Sequence, residues 1–81
     1  MKAEANNLNP KLKEVLRETL KADSIIYEDS IETVDLWDSM MHMEIMVAIE
    51  KSYKVRIEPG EIVALTSVKA IQEYLRLKAA L

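Results

Sequence analysis

Asp38, Ser39 and His42 lie within five positions of one another and are the side chains best suited to chemistry. A carboxylate, a hydroxyl and an imidazole invite a reading as a hydrolytic triad. That chemistry needs a histidine oriented by the acid while it also points at the serine oxygen. Residues this close at one helix start diverge, so the spacing argues against a hydrolase. His42, the only histidine, reads instead as a packed or hydrogen-bonded side chain. A different chemistry suits Ser39. Asp38 and Ser39 are both good helix N-caps, and Met40 to Tyr53 follow without a Pro or Gly. Unpaired backbone N–H groups and the positive end of the helix dipole would favour a phosphate on the Ser39 hydroxyl. Against this stands the plainer reading of Asp-Ser as a cap and nothing more.

The elements around this pair are legible from periodicity. Asn9-Pro10 reads as an N-cap followed by proline at the first helical position, and Leu8, Leu12, Val15, Leu16 and Leu20 recur at helical spacing. A long connection follows, about residues 22–37, whose Ile25, Ile26, Ile31, Val34 and Leu36 are expected to plug the bundle. It has room for a short helical turn. The second helix, about Ser39 to Ser52, carries two apolar stripes. Ile45, Met46, Ile49 and Tyr53 should face the core, with His42 on the same side. Met40, Met43 and Val47 fall nearly opposite, flanked by Glu44, Glu50 and Lys51. A small bundle needs only the first stripe, so the second is a contact surface or closes over loop residues such as Leu36 and Trp37. Methionine, unbranched and adaptable, suits contact with several partners.

Tyr53 to Ile57 alternates like a short extended linker, Pro59 starts a helical turn through Ile62 and Leu65, and Thr66 or Ser67 caps a last helix. Val68, Ile71 and Leu75 should point inward there, with Tyr74 partly buried and its hydroxyl near solvent. The fold expected is all-α: a small antiparallel bundle of three main helices plus one short helix, with a long loop between the first and second. Residues 1–7 show no periodicity and should fray, leaving 8–81 as a single domain.

Composition narrows the function. The 81 residues include no cysteine, so there is neither a thiol nucleophile nor a thiolate metal ligand. Any thioester would need its sulfur from a cofactor. No apolar run approaches the roughly 20 residues of a membrane span, and Met1 to Pro10 lacks an apolar signal core, so a cytoplasmic protein is expected. The net charge of −3 conceals an asymmetry: Asp23 to Glu50 holds eight acids and no Lys or Arg, while the remainder holds six acids and eleven bases. A field of that sign repels nucleic acid and steers basic protein surfaces toward the same region. The plainer reading is a solvated acidic loop.

Asp38-Ser39-Met40, Glu44, Ala48-Ile49-Glu50 and Tyr53, followed by Ile57-Glu58-Pro59, Thr66-Ser67-Val68, Ala70-Ile71 and Tyr74-Leu75, resemble the acyl carrier protein family over about residues 8–77. The family's Asp-Ser-Leu stands here as Asp-Ser-Met. Trp37 and His42 resemble a divergent subset of stand-alone carriers for dedicated pathways, in which the usual Leu-Gly before Asp-Ser is missing. The resemblance implies that Ser39 takes 4'-phosphopantetheine from coenzyme A, and that Asp38 helps a phosphopantetheinyl transferase coordinate its metal. It implies that Met40, Met43, Glu44, Val47 and Glu50 dock acyl-loading and acyl-transferring enzymes through their basic patches, and that the chain, a monomer, performs no chemistry itself. Ile45, Ile49, Ile62 and Ile71, with Val63, would line a pocket for the bound chain or form an ordinary dry core. The cargo could be fatty acyl, polyketide or another specialised acyl group. An aminoacyl or peptidyl carrier is the nearest rival, and an unmodified helical adaptor using the same acidic face is a third reading. Three departures stand out: Lys54 where the family usually has a C-capping glycine, Met41 where an acid is common, and Lys51 where a second acid often follows Glu50. The last two make the docking helix less acidic, which predicts selectivity for dedicated enzymes over general fatty-acid synthase partners.

Overall fold

A computed structural model describes residues 8–81, and the expected fraying of residues 1–7 lies outside them. Four helices follow in chain order: α1 (Pro10–Leu20), α2 (Ser39–Tyr53), α3 (Pro59–Ile62) and α4 (Val68–Leu77). The fold is a small all-helical bundle of three main helices and one short one, as the periodicity predicts.

Each start has a local cause. The Asn9 side chain accepts from the amides of Lys11 and Leu12, and Pro10 occupies the first turn, where a missing N–H costs nothing. Ser67 rather than Thr66 caps α4, its hydroxyl oxygen accepting from the Ala70 amide at 3.0 Å. At α3 the Glu61 side chain reaches back to accept from the Glu58 amide at 3.0 Å, and the Glu61 amide donates to the Glu58 carbonyl at 2.9 Å. Two ends use a left-handed lysine: Lys21 closes α1 at φ 55° and Lys54 closes α2 at φ 56°. The stop expected of a glycine is therefore made without one, at the steric cost of a Cβ in the left-handed region.

Leu12, Leu16 and Leu20 of α1 pack against Ile45, Met46 and Ile49 of α2 and Val68, Ile71 and Leu75 of α4 in one buried cluster. Leu8, Val15 and Tyr53 sit half-buried at its margin. The linker after α2 adds Ile57, and Leu65 fills the space after α3. α3 has no fully buried residue; the half-buried Ile62 packs against the core and polar contacts help hold the helix in place.

The long loop is only partly the apolar plug that its aliphatics suggest. Ile25 is buried, Ile31 and Val34 are half-buried, but Ile26 and Leu36 are more than half exposed. The large side chain that fills the core from this loop is Trp37, 1% exposed. An indole offers more apolar area than an aliphatic and has a donor that finds a partner, which explains why it displaces Leu36. Backbone pairing does the rest: the Ile31 amide donates to Thr66 O at 2.9 Å and the Val68 amide to Asp29 O at 3.0 Å, around a single bridge between Ser30 and Ser67. The Asp29, Ser30 and Thr33 side chains close further turns on the loop backbone. It contains turns but no helix.

Candidate functional site

Asp38, in an extended conformation, caps α2: its Oδ1 accepts from the Met41 amide at 2.8 Å and its carbonyl accepts the first helical bond, from the His42 amide, at 2.8 Å. Of the two capping candidates, the aspartate takes the role and Ser39 becomes the first helical residue. Its hydroxyl is exposed and, among the described residues, makes no hydrogen bond. The amides of Ser39 and Met40 are likewise unpaired there, as expected for a first helical turn with only one side-chain cap. An anionic phosphoester on the Ser39 oxygen would meet those donors and the helix dipole, so the residues suit that group.

Beneath this exposed turn lie two buried rings. The Trp37 indole N–H donates to His42 Nδ1 at 3.1 Å, and the rings stack with centroids 6.1 Å apart and an interplanar angle of 26°. His42 Nε2 lies 2.7 Å from the carbonyl of Ile62, the last residue of α3. An indole N–H can only donate and a carbonyl can only accept, so these partners assign the ring proton to Nε2. Both imidazole nitrogens are occupied, neither by Asp38 nor by Ser39, which disposes of the triad. The expectation of a packed, hydrogen-bonded His42 holds. The burial of its partner Trp37 has only a faint signal in the sequence, one tryptophan five residues ahead of one histidine.

The other site candidates divide. Met40 is 76% exposed, and Met43, Glu44 and Val47 are exposed beside it, forming an apolar stripe edged by acid on the face opposite the core. Glu50 departs from this group: it is half-buried and its Oε2 accepts the Ile57 amide at 2.8 Å, so its carboxylate ties the outgoing linker to α2 rather than standing free. Of the pocket candidates, Ile45, Ile49 and Ile71 are wholly buried and Ile62 half-buried. Val63 is 74% exposed, because α3 ends at Ile62 and the chain turns there, so it does not face the core. Two surface hollows of about 440 and 310 Å³ open on the acidic loop, and neither is lined by these residues. No described helix is long and apolar enough to cross a membrane.

At the residue before Ile62, Tyr74 of α4 offers its hydroxyl to Glu61 Oε1 at 2.9 Å and to the Arg56 carbonyl at 3.1 Å. Desolvation, then the Glu61 hydrogen bond, push its pKa up to about 12. The Glu61 carboxyl is held below the usual carboxylate range, first by the Glu58 amide and then by the Tyr74 hydroxyl.

Comparison with known proteins addresses the same stretch. The family model described as "Phosphopantetheine attachment site" matches residues 10–75. Polyketide-8 synthase acyl carrier protein 2 of Streptomyces avermitilis is 40% identical over 50 residues, which are 62% of this chain and 56% of that protein. The match thus spans little more than half the length of that relative. No solved structure matches the chain. A family match running from the start of α1 through most of α4 takes in the exposed serine at the head of α2, and the chain therefore belongs to the phosphopantetheine-attachment family of acyl carrier proteins, which hold 4'-phosphopantetheine covalently.

Proposed function

We propose that this chain carries an acyl group on phosphopantetheine attached to Ser39 and presents it to partner enzymes of a polyketide, fatty-acid or other specialised acyl pathway. The observation that carries the reading is Ser39 at the first position of α2, its hydroxyl exposed and its neighbouring amides unpaired. In the attachment, the Ser39 oxygen attacks the phosphorus of the coenzyme A pyrophosphate that bears pantetheine. A serine–phosphate ester forms, the bond to the nucleotide half breaks, and the serine proton passes to the transferase or to water. The group supplies the thiol that a chain without cysteine lacks, so that carboxylic cargo is held as a thioester.

Asp38 has two separable duties. Its Oδ1 caps the helix, while the rest of the carboxylate stays at the surface beside Ser39, where it would help a transferase coordinate its metal. Met40, Met43, Glu44 and Val47 would dock partner enzymes through apolar contact and attraction to basic patches. Glu50 contributes to that face mainly by fixing the linker, and with Met41 and Lys51 in place of acids the face suits dedicated partners. The gain to the reaction is tethering: cargo is held at high effective concentration near successive active sites. The buried face of Ile45, Ile49 and Ile71, edged by Ile62, is the apolar interior that a long chain would enter.

The deciding measurement is intact mass after incubation with coenzyme A and a broad-specificity phosphopantetheinyl transferase. One added phosphopantetheine on the wild type, and none on Ser39→Ala, is the expected result. No addition to a folded wild type would favour a helical adaptor, which would bind partners equally well as Ser39→Ala. Loading by an adenylating enzyme rather than an acyltransferase would instead mark an aminoacyl carrier.

A further inference from the structure

Trp37 and His42 occupy a defined relation to the cap. With Asp38 as N-cap, Trp37 is the residue before it and His42 the fourth helical residue. This is the pair of positions joined in a hydrophobic staple, which sets the angle at which the chain enters a helix. Here the staple is made of two rings that stack and also share a hydrogen bond, Trp37 Nε1–H to His42 Nδ1 at 3.1 Å. Asp38, Ser39 and Met40, all exposed, form the arch between the two buried ends. The far side of the imidazole reaches Ile62 O at 2.7 Å, so one ring joins the arch bearing Ser39 to the end of α3. α3 has no fully buried residue, and this bond, with the packing of the half-buried Ile62 side chain, helps place it.

Accepting Ser39 as the attachment residue, we propose that His42 is a positioning residue for phosphopantetheine attachment: its bridge from Trp37 to Ile62 holds the serine arch in the geometry a transferase requires. Docking along Met40, Met43 and Val47 does not depend on the bridge, because those residues lie on the opposite face of α2. The bridge acts on where the Ser39 oxygen sits once docked. A displacement of about 1 Å at a reacting atom can lower a rate by on the order of 100-fold.

The test measures transferase kinetics with the carrier as varied substrate, at a temperature where circular dichroism shows each variant folded. His42→Phe keeps a ring but removes both hydrogen bonds. Trp37→Phe removes the indole N–H while keeping an aromatic ring, and decides the matter should His42→Phe not fold. His42→Gln retains an acceptor and a donor. The expected result is a fall in kcat of roughly 10- to 100-fold for both phenylalanine variants, with KM for the carrier within about twofold, and recovery of much of kcat in His42→Gln. Because Trp37 is the only tryptophan, its single indole N–H resonance reports the bridge directly. It should stay near its wild-type position in His42→Gln and move in His42→Phe. Wild-type kcat in a folded phenylalanine variant would overturn the proposal, as would a loss confined to KM, which would make the bridge a docking element. Failure of the wild type to load would count against Ser39 as the attachment residue instead.

Discussion

Replacing Tyr74 with phenylalanine tests how a four-residue helix is held. α3 is too short to be stable alone and gives the core only the half-buried Ile62, so its position depends on that contact together with a few polar ones. Tyr74→Phe keeps the ring and removes only the hydroxyl that reaches Glu61 at 2.9 Å and the Arg56 carbonyl at 3.1 Å. A hydrogen bond to a charged group contributes about 1.5–3 kcal/mol when fully buried. Tyr74 is half-buried, and solvent screening reduces this to about 1 kcal/mol, or about 5 °C in Tm for a domain of this size. The pH dependence has a definite sign. The folded pKa of Tyr74, about 12, lies above its ordinary value of 10, so the contribution is full below pH 10 and is lost as pH rises toward 12. The carboxyl of Glu61 is shifted the other way from its ordinary value of 4.5, so the contribution also fades as pH falls below that value. Urea denaturation of wild type and Tyr74→Phe across pH should therefore give a stability difference that is level through the neutral range and shrinks at both ends. Taking the difference cancels the titration of lysines and the other tyrosines. A difference that is flat to pH 12, or that grows on the alkaline side, would refute the assignment of this contact. So would a tyrosinate absorbance titration in which Tyr74→Phe removes a component near pH 10 rather than the highest one.

Three further outcomes are expected. Asp38→Asn should keep the helix cap, since asparagine caps as well as aspartate, and change stability by less than about 0.5 kcal/mol; loading measured by intact mass should nevertheless fall severely, because the carboxylate is gone. Lys54→Gly should raise stability by roughly 0.5–1 kcal/mol, as glycine adopts the left-handed conformation at φ 56° without a steric penalty, and thermal melting checks this. Ile49→Ala, at a side chain with 0% exposure, should cost about 2–5 kcal/mol. That is a large part of the total stability of a domain this small, and a lowered urea midpoint with an unchanged slope would register it.

The all-α class, the three main helices and the core residues of α1, α2 and α4 were determined by the chain's own periodicity, while the short α3 was marked only by Pro59 and ends at Ile62. Leu12, Leu16, Leu20, Ile45, Ile49, Val68, Ile71 and Leu75 recur at helical spacing, and a 3.6-residue repeat dictates both the element and the face it buries. The cap at Asn9 was equally local, because a capping bond spans only three residues, whereas at α2 and α4 the sequence offered two adjacent candidates and the fold chose Asp38 over Ser39 and Ser67 over Thr66. The exposed apolar stripe of Met40, Met43 and Val47 followed from the same wheel, since one helix can show only one face to a small core. Tertiary structure decided everything in which aperiodic residues compete. Trp37 is buried while Leu36 and Ile26 are not, a choice made by which side chain finds both space and a hydrogen-bond partner. Glu50 turns to the Ile57 amide instead of solvent because the linker doubles back over α2, and Val63 faces outward because α3 ends one residue earlier. The bridge from Trp37 through His42 to Ile62 joins residues 5 and 20 positions apart, and no period in the chain connects them. Only the packing of the loop and α3 against the start of α2 brings those atoms within bonding distance.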